Sequence, residues 1–269
     1  MIMSINANSI HKILAAAHAE GRHTLYEHEC YEIQAAIGAE AAPASRLISI
    51  DGHPTAADLE QLHSDLVVLK VVSPDITHKT EANGVRIVAR EIGAVEAAFE
   101  LMKREVPETF AAYLESHEGD VPAALSGRRG RGLEQRLLDR IVGVLLCEHV
   151  PPDAQGFATE LFVGIRSTEE FGPIISAGLG GVEMEILARQ TKKGAAVAIA
   201  PTGAVDGEQF FELFRKTLSY DRLSGAMRGS RRLLDDAILV HCFQAFIDLA
   251  NHFSALNPEA GFFLDEVEV

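Results

Sequence analysis

Residues 66–87 read LVVLKVVSPDITHKTEANGVRI, and the fold follows from how this stretch changes character along its length. Leu66 to Val72 is a nearly continuous apolar run rich in β-branched residues, the signature of a buried strand rather than a helix. Val85 to Ala89 reads as its neighbouring strand, with Asn83-Gly84 supplying turn chemistry before it. Between them runs the loop Ser73 to Ala82, which holds His78, Lys79 and Thr80. Lys70 interrupts the apolar run. A buried ammonium is costly without a partner, so Lys70 either snorkels to an edge or meets an anion. A strand lysine followed by a basic, glycine-terminated loop points to phosphate binding, because the backbone at Gly84 lets a ligand approach closely.

Outward from this hairpin, helices are expected from Ser9 to Gly21, from Glu27 to Gly38 and after Pro54, with a short strand at Arg46–Ile50. A further helix starts near Ala94 and should end or kink at Pro107. His117 to Gly132 lacks periodicity and reads as a linker. Strands follow at Ile141–Cys147, Thr159–Ile165, Pro173–Ala177 and Ala195–Ala200, with an apparent helix start after Gly178–Gly181 at Val182–Leu187. Two helices, Gly207–Leu218 and Leu233–Phe253, precede a last strand at Phe262–Val269. Strands and helices without strict alternation indicate an α+β protein.

The composition narrows the function. A net charge of −15 argues against a nucleic-acid footprint, and the few cations must be concentrated wherever phosphates bind. Cys30, Cys147 and Cys242 are far apart and have no metal-ligand spacing, as expected of small buried hydrophobes in a reduced compartment. With no basic-then-apolar leader and no membrane-length apolar stretch, a cytoplasmic protein without membrane partners is expected.

The hairpin resembles the glycine-rich loop of ADP-forming acetyl-CoA and acyl-CoA synthetases, relatives of the succinyl-CoA synthetase beta subunit. YEHECYEIQAAIGAEAAP, GVLLCEHV, GFATELFVG, FGPIISAGLGGVEMEIL, LSGAMRG and FFLDEVEV follow in that family's order. The resemblance implies an ATP-grasp fold, with two α/β lobes holding the nucleotide in the cleft between them. It places the first lobe at about 20–140, with the phosphate loop at 73–84, and the second at about 141–269. It implies ATP/ADP contacts by Lys70, Lys79, Gly84, Glu148, Val150 and Glu160, with Lys70 on the phosphates, Glu148 and Val150 beside adenine and Glu160 facing the ribose. His78 matches a loop histidine that accepts a phosphoryl group, and Glu268 an acid that interacts with phosphohistidine.

The activity so implied is that of an acid–thiol ligase: acyl-CoA + ADP + phosphate to carboxylic acid + CoA + ATP, through a phosphohistidine relay. Mg2+ would be required, and CoA would be handled by an alpha-type, CoA-binding domain or subunit. The sequence departs from the family at Glu81, Asn83, Ala198 and Ala226, where Asp, Gly, Arg and Gly are usual. The family's magnesium ligands are expected beyond Val269, so the fragment alone is not expected to be fully active. An alternative is a degenerate ATP-grasp module with a nucleotide-sensing or scaffolding role, for example fused to an acetyltransferase. Acyl group, ADP versus GDP, and oligomeric state stay open.

Overall fold

The computed structural model describes residues 5–39, 42–76, 78–117, 121, 122, 125, 131–151, 160–180, 195–227 and 231–268. The expected helix start at Val182–Leu187, most of the expected linker from His117 to Gly132, residues 156–159 and Arg228-Gly229 lie outside them. By contact the chain forms two compact units. The first comprises Gly21–Tyr31 and Ala42–Val150, and the second Met1–Glu20, Glu32–Ala41 and Pro151–Val269.

The first unit is built on an antiparallel sheet of β1 (Ser45–Ser49), β2 (Leu66–Val72), β3 (Val85–Ala89) and β4 (Gly143–Glu148), in the order β1-β4-β2-β3. β2 and β3 have the boundaries expected from the sequence, paired with Lys70 opposite Val85. β4 lies between β1 and β2, with Lys70 opposite Leu145. This strand, expected to open the second lobe, is therefore hydrogen-bonded into the first sheet, and the contact boundary falls near Val150 rather than 140.

The faces of the sheet differ because side chains alternate along each strand. Val67, Leu69 and Val71 of β2 and Val144 and Leu146 of β4 pack into a large core with Val95, Phe99, Met102, Val106 and Phe110. Those five residues come from a 25-residue helix, Ile92–Ser116, and Leu133 and Leu137 of the helix Arg131–Leu138 join the same core. Pro107 does not end the longer helix. It sits buried inside it, and the apolar stripe from Val95 to Leu114 holds the helix together across the missing N–H. The shorter helix was not expected from the sequence, although Leu133 and Leu137 stand one helical turn apart. On the opposite face, Val72, Leu145 and Cys147 pack with Tyr26, Tyr31, Leu47, Val68 and Val142. Tyr26 and Tyr31 flank the start of the helix Glu27–Ile37, which thus covers the face that carries Lys70.

The second unit has an antiparallel sheet in the order β7-β6-β5-β8, with β5 at Leu161–Thr168, β6 at Gly172–Leu179, β7 at Val197–Pro201 and β8 at Glu266–Glu268. The helices Gly207–Phe214 and Asp236–His252 build its core, where Phe243 meets Phe210 and Phe214 edge-on at 4.9 and 5.3 Å between ring centres. The first of these helices is opened by a capping box between Asp206 and Gln209, and its first residue has to be Gly207. A Cβ there would lie 2.6 Å from the Val240 carbonyl oxygen, so the bare backbone is what lets the two helices touch. Asn6 caps the helix Ala7–Ala19 of the same unit. The protein is thus α+β, with helices and two antiparallel sheets.

Candidate functional site

The turn after β2 closes like the end of a helix. Ala82 N–H donates to the His78 carbonyl, Asn83 N–H to Thr80 and Gly84 N–H to Lys79, at 3.1, 3.0 and 2.7 Å. The last two bonds form the paired pattern of a Schellman closure, whose penultimate residue must turn left-handed. That residue is Asn83, at φ 54°, the one non-glycine residue with positive φ among those described. Asn is the side chain that best tolerates this region, so it can stand where the resembled family has glycine. Gly84 has no such freedom: a Cβ would lie 2.5 Å from Val71 Cγ1 and 3.0 Å from the Lys79 carbonyl oxygen. The turn delivers Lys79 onto the face of the sheet that already carries Lys70. At the root of the loop, buried Asp75 is held by Arg140.

Both lysines meet one carboxylate. Glu27 Oε1 accepts from Lys70 Nζ at 2.5 Å and from the Tyr31 hydroxyl at 2.6 Å, and Glu27 Oε2 accepts from Lys79 Nζ. Lys70 Nζ also donates to the Tyr31 hydroxyl at 3.1 Å and lies over the Tyr31 ring. The three charged side chains keep 26%, 27% and 21% of their surface for Lys70, Lys79 and Glu27, so the cluster is open to a ligand while largely shielded from water. Burial pushes the Glu27 carboxyl up, but the hydrogen bonds from Lys70, Lys79 and Tyr31 outweigh it and hold the group at about 2. Burial pushes Lys70 down, yet its contact with Glu27 leaves it above its ordinary value. Tyr31 is raised by burial and by the adjacent carboxylate. Behind them, burial pushes the Cys147 thiol up to about 11.

Arg22 anchors the same helix start independently, by a forked pair of bonds to Glu29 at 2.8 and 2.6 Å. Glu27 and Tyr31 were not singled out in the sequence as site residues. The available signal was Lys70 itself: a strand ammonium that does not snorkel needs an acid, and the preceding helix start supplies acids in its first turn.

The other expected site residues are distributed as follows. His78 is exposed on the turn, its ring 5.8 Å from that of Tyr113, which stacks on His117 at 4.2 Å. Glu148 ends β4 opposite Val67, and its N–H donates to the Ala44 carbonyl at 2.8 Å. Strand alternation puts Glu148 on the face of Val144 and Leu146, not on the Lys70 face. Val150 lies just beyond and is 68% exposed. Glu160 and Glu268 belong to the second unit. Glu160 is exposed before β5, its carbonyl accepting from Gly180 N–H at 2.8 Å, and Glu268 is exposed on β8 opposite Gly164. The structure therefore brings together Lys70, Lys79 and the Gly84 turn. Among the described residues, no group of three or more His, Cys, Asp or Glu side chains could hold a metal ion, and no helix is long and apolar enough to cross a membrane.

The two lysines thus converge beside a glycine-closed turn within an α+β chain of two antiparallel sheets. Residues 16–117 and 116–257 match the ATP-grasp domain family, and the chain belongs to that family.

Among proteins of known name, the chain is 32% identical over 203 residues to the acetate–CoA ligase (ADP-forming) I of Archaeoglobus fulgidus, a match covering 76% of this chain and 23% of that protein. It is 27% identical over 172 residues to the beta subunit of acetate–CoA ligase (ADP-forming) I of Pyrococcus furiosus, covering 64% of this chain and 57% of the subunit. The chain therefore spans less than two thirds of the length of either relative. Among solved structures, the dinucleotide forming acetyl-coenzyme A synthetase 1 of Ca. Korarchaeum cryptofilum, in complex with coenzyme A, Ca-AMPCP and HgCl+, superposes with a TM-score of 0.61. That match is 21% identical and covers 91% of this chain and 87% of the other, a likeness of fold.

Proposed function

We propose that this chain is the nucleotide-binding part of an ADP-forming acyl-CoA synthetase, converting acyl-CoA, ADP and phosphate reversibly to a carboxylic acid, CoA and ATP. The observation that carries the reading is the convergence of Lys70 and Lys79 beside the Gly84 turn. Two ammonium groups neutralised by a single carboxylate leave one positive charge for a polyphosphate, in a chain whose net charge is −15. The names of the relatives, both acetate–CoA ligases, support the reaction class over a sensing or scaffolding role.

In this reading Lys70 and Lys79 hold the phosphates and offset the charge that gathers on them during transfer. His78, exposed at the head of the turn, offers an imidazole nitrogen to the terminal phosphorus. The N–P bond forms as the bond to the bridging oxygen of ADP breaks, and the electron pair leaves with ADP. Glu148 and Val150 serve the adenine end. Glu160 keeps a ribose-facing role and Glu268 a role toward the phosphohistidine. Mg2+, when bound, would draw charge from the phosphates. The described residues offer it no ligand cluster, so no step is assigned to it. The acyl and CoA chemistry falls to a CoA-binding partner domain or subunit, and the complete enzyme is cytoplasmic.

The test is transfer of label from terminally labelled ATP to the full-length protein together with its CoA-binding partner. Acid-labile label on the wild type that is lost in His78→Ala is the expected result. ATP binding without any label on the wild type would overturn the relay.

A further inference from the structure

The lysines of the cradle already have an anion. Glu27 occupies both of them, one per carboxylate oxygen, and it comes from a helix start 43 residues before Lys70 and 52 before Lys79. A phosphate approaching either Nζ must compete for a donor that Glu27 already holds, and it meets a negative charge at close range. The contact is arranged to yield. Each partner keeps about a quarter of its surface open, so a multiply charged phosphate can reach the ammonium groups and exchange with the carboxylate without the strand or the helix start having to move. The helix start does not depend on Glu27, because Arg22 and the Tyr26 N–H hold it through Glu29. Tyr31 donates to Glu27 and gives the carboxylate a neutral partner that remains when a lysine leaves.

We infer that Glu27 is an internal stand-in for the nucleotide phosphates: it pairs Lys70 and Lys79 while the site is empty and gives up at least one of them when a polyphosphate binds. This rests on the nucleotide-binding reading of the cradle and adds a residue that sets its affinity. Glu27 is a positioning residue, acting on the ligand through the lysines. A simple structural ion pair predicts the opposite consequence of its removal. Without Glu27 a structural pair leaves the lysines misplaced and binding weaker, whereas a stand-in leaves them vacant and binding tighter.

The experiment is titration calorimetry on the 269-residue chain, wild type and Glu27→Gln, with ATP, with inorganic tripolyphosphate and with adenosine, at low ionic strength. Gln keeps the shape of Glu27 and can still accept from Tyr31, but carries no charge. The expected result is about tenfold tighter binding of ATP and of tripolyphosphate in the variant, with adenosine unchanged. Wild type that binds ATP, beside a variant that binds it equally or more weakly, overturns the stand-in and leaves the nucleotide reading intact. Tripolyphosphate tightened by the variant while neither protein binds ATP keeps the stand-in and overturns the nucleotide reading. No binding of any probe by either protein overturns both. Should Glu27→Gln fail to fold, Glu27→Asp keeps the charge but shortens its reach by one methylene. It should tighten tripolyphosphate binding by a smaller factor, and a value at or below wild type counts against the stand-in.

Discussion

Glu27 should make the stability of the first unit depend on acid in a way that one substitution can isolate. Its carboxyl titrates at about 2 in the folded protein, against an ordinary 4.5. The unfolded chain therefore takes up a proton that the folded protein refuses between those values, and stability must rise with pH across that window. The contribution is complete above the unfolded value and is lost as pH falls toward the folded one. Its full size is roughly 3 kcal/mol, somewhat less after screening of the exposed fifth of the side chain. About 1.4 kcal/mol should be gone by pH 3.5 and about 2 kcal/mol by pH 3. Acid acts on the rest of the protein as well, so the useful quantity is the gap between wild type and Glu27→Gln, which cancels what the two share. Urea unfolding followed by tyrosine fluorescence suits this. The chain has no tryptophan, and three of its four tyrosines, Tyr26, Tyr31 and Tyr113, lie in the first unit. The wild-type advantage at pH 7 should shrink by those amounts at pH 3.5 and 3. A gap that stays constant across the range, within the error of the extrapolation to zero urea, would refute the claim that Glu27 is held ionised by its three donors.

The turn that ends at Gly84 makes a paired prediction. Gly84→Ala should cost about 1–3 kcal/mol, because its Cβ collides with Val71 and the Lys79 carbonyl, whereas Asn83→Gly should change stability by less than about 0.5 kcal/mol because Asn83 already holds the left-handed angle. Thermal melts of the two variants check this, and equal losses would contradict the closure described. Cys147, buried and with its thiol pushed up to about 11, should contribute nothing to the rapid reaction of the native protein with Ellman's reagent at neutral pH. Cys147→Ser should leave that rapid phase unchanged, while urea should expose three thiols in wild type and two in the variant. Loss of a rapid phase in the variant would show the strand to be open.

The parts of the fold legible in the sequence are those where local pattern and tertiary role agree. β2 and β3 match their expected limits because an apolar, β-branched run bounded by turn residues has no competing structure. The helix ending at Ile37 was equally plain, stopping before Gly38, which has φ 67°. Pro107 argues locally for an end or a kink, and the helix does not end there because a buried stripe from Val95 to Leu114 carries it through. The assignment of β4 to the second lobe failed for a related reason. Strand pairing joins residues distant in sequence, and nothing within Gly143–Glu148 says that its neighbours are β1 and β2. Of the site, Lys70, Lys79 and Gly84 were readable because a charge within an apolar strand and a glycine at a turn stand out. Glu27 was not, since an acid in the first turn of a helix is ordinary and only the folded chain shows what it touches.

The alternation along β2 imposes a rule on how this sequence can change length. Val67, Leu69 and Val71 face the long helix, and Val68, Lys70 and Val72 face the other way. Deleting or inserting one residue within the strand would exchange the two sets, driving the Lys70 ammonium among Phe99, Met102 and Val106 and turning three aliphatic side chains toward Glu27. Indels in β2 are therefore admissible only in pairs. The turn before Gly84 is under no such parity, but it has to keep its closure from His78 to Gly84 and bring Lys79 to Glu27. Length variation among related chains should therefore spare both strands and that closure, and a designer resizing the hairpin should leave His78 to Gly84 whole.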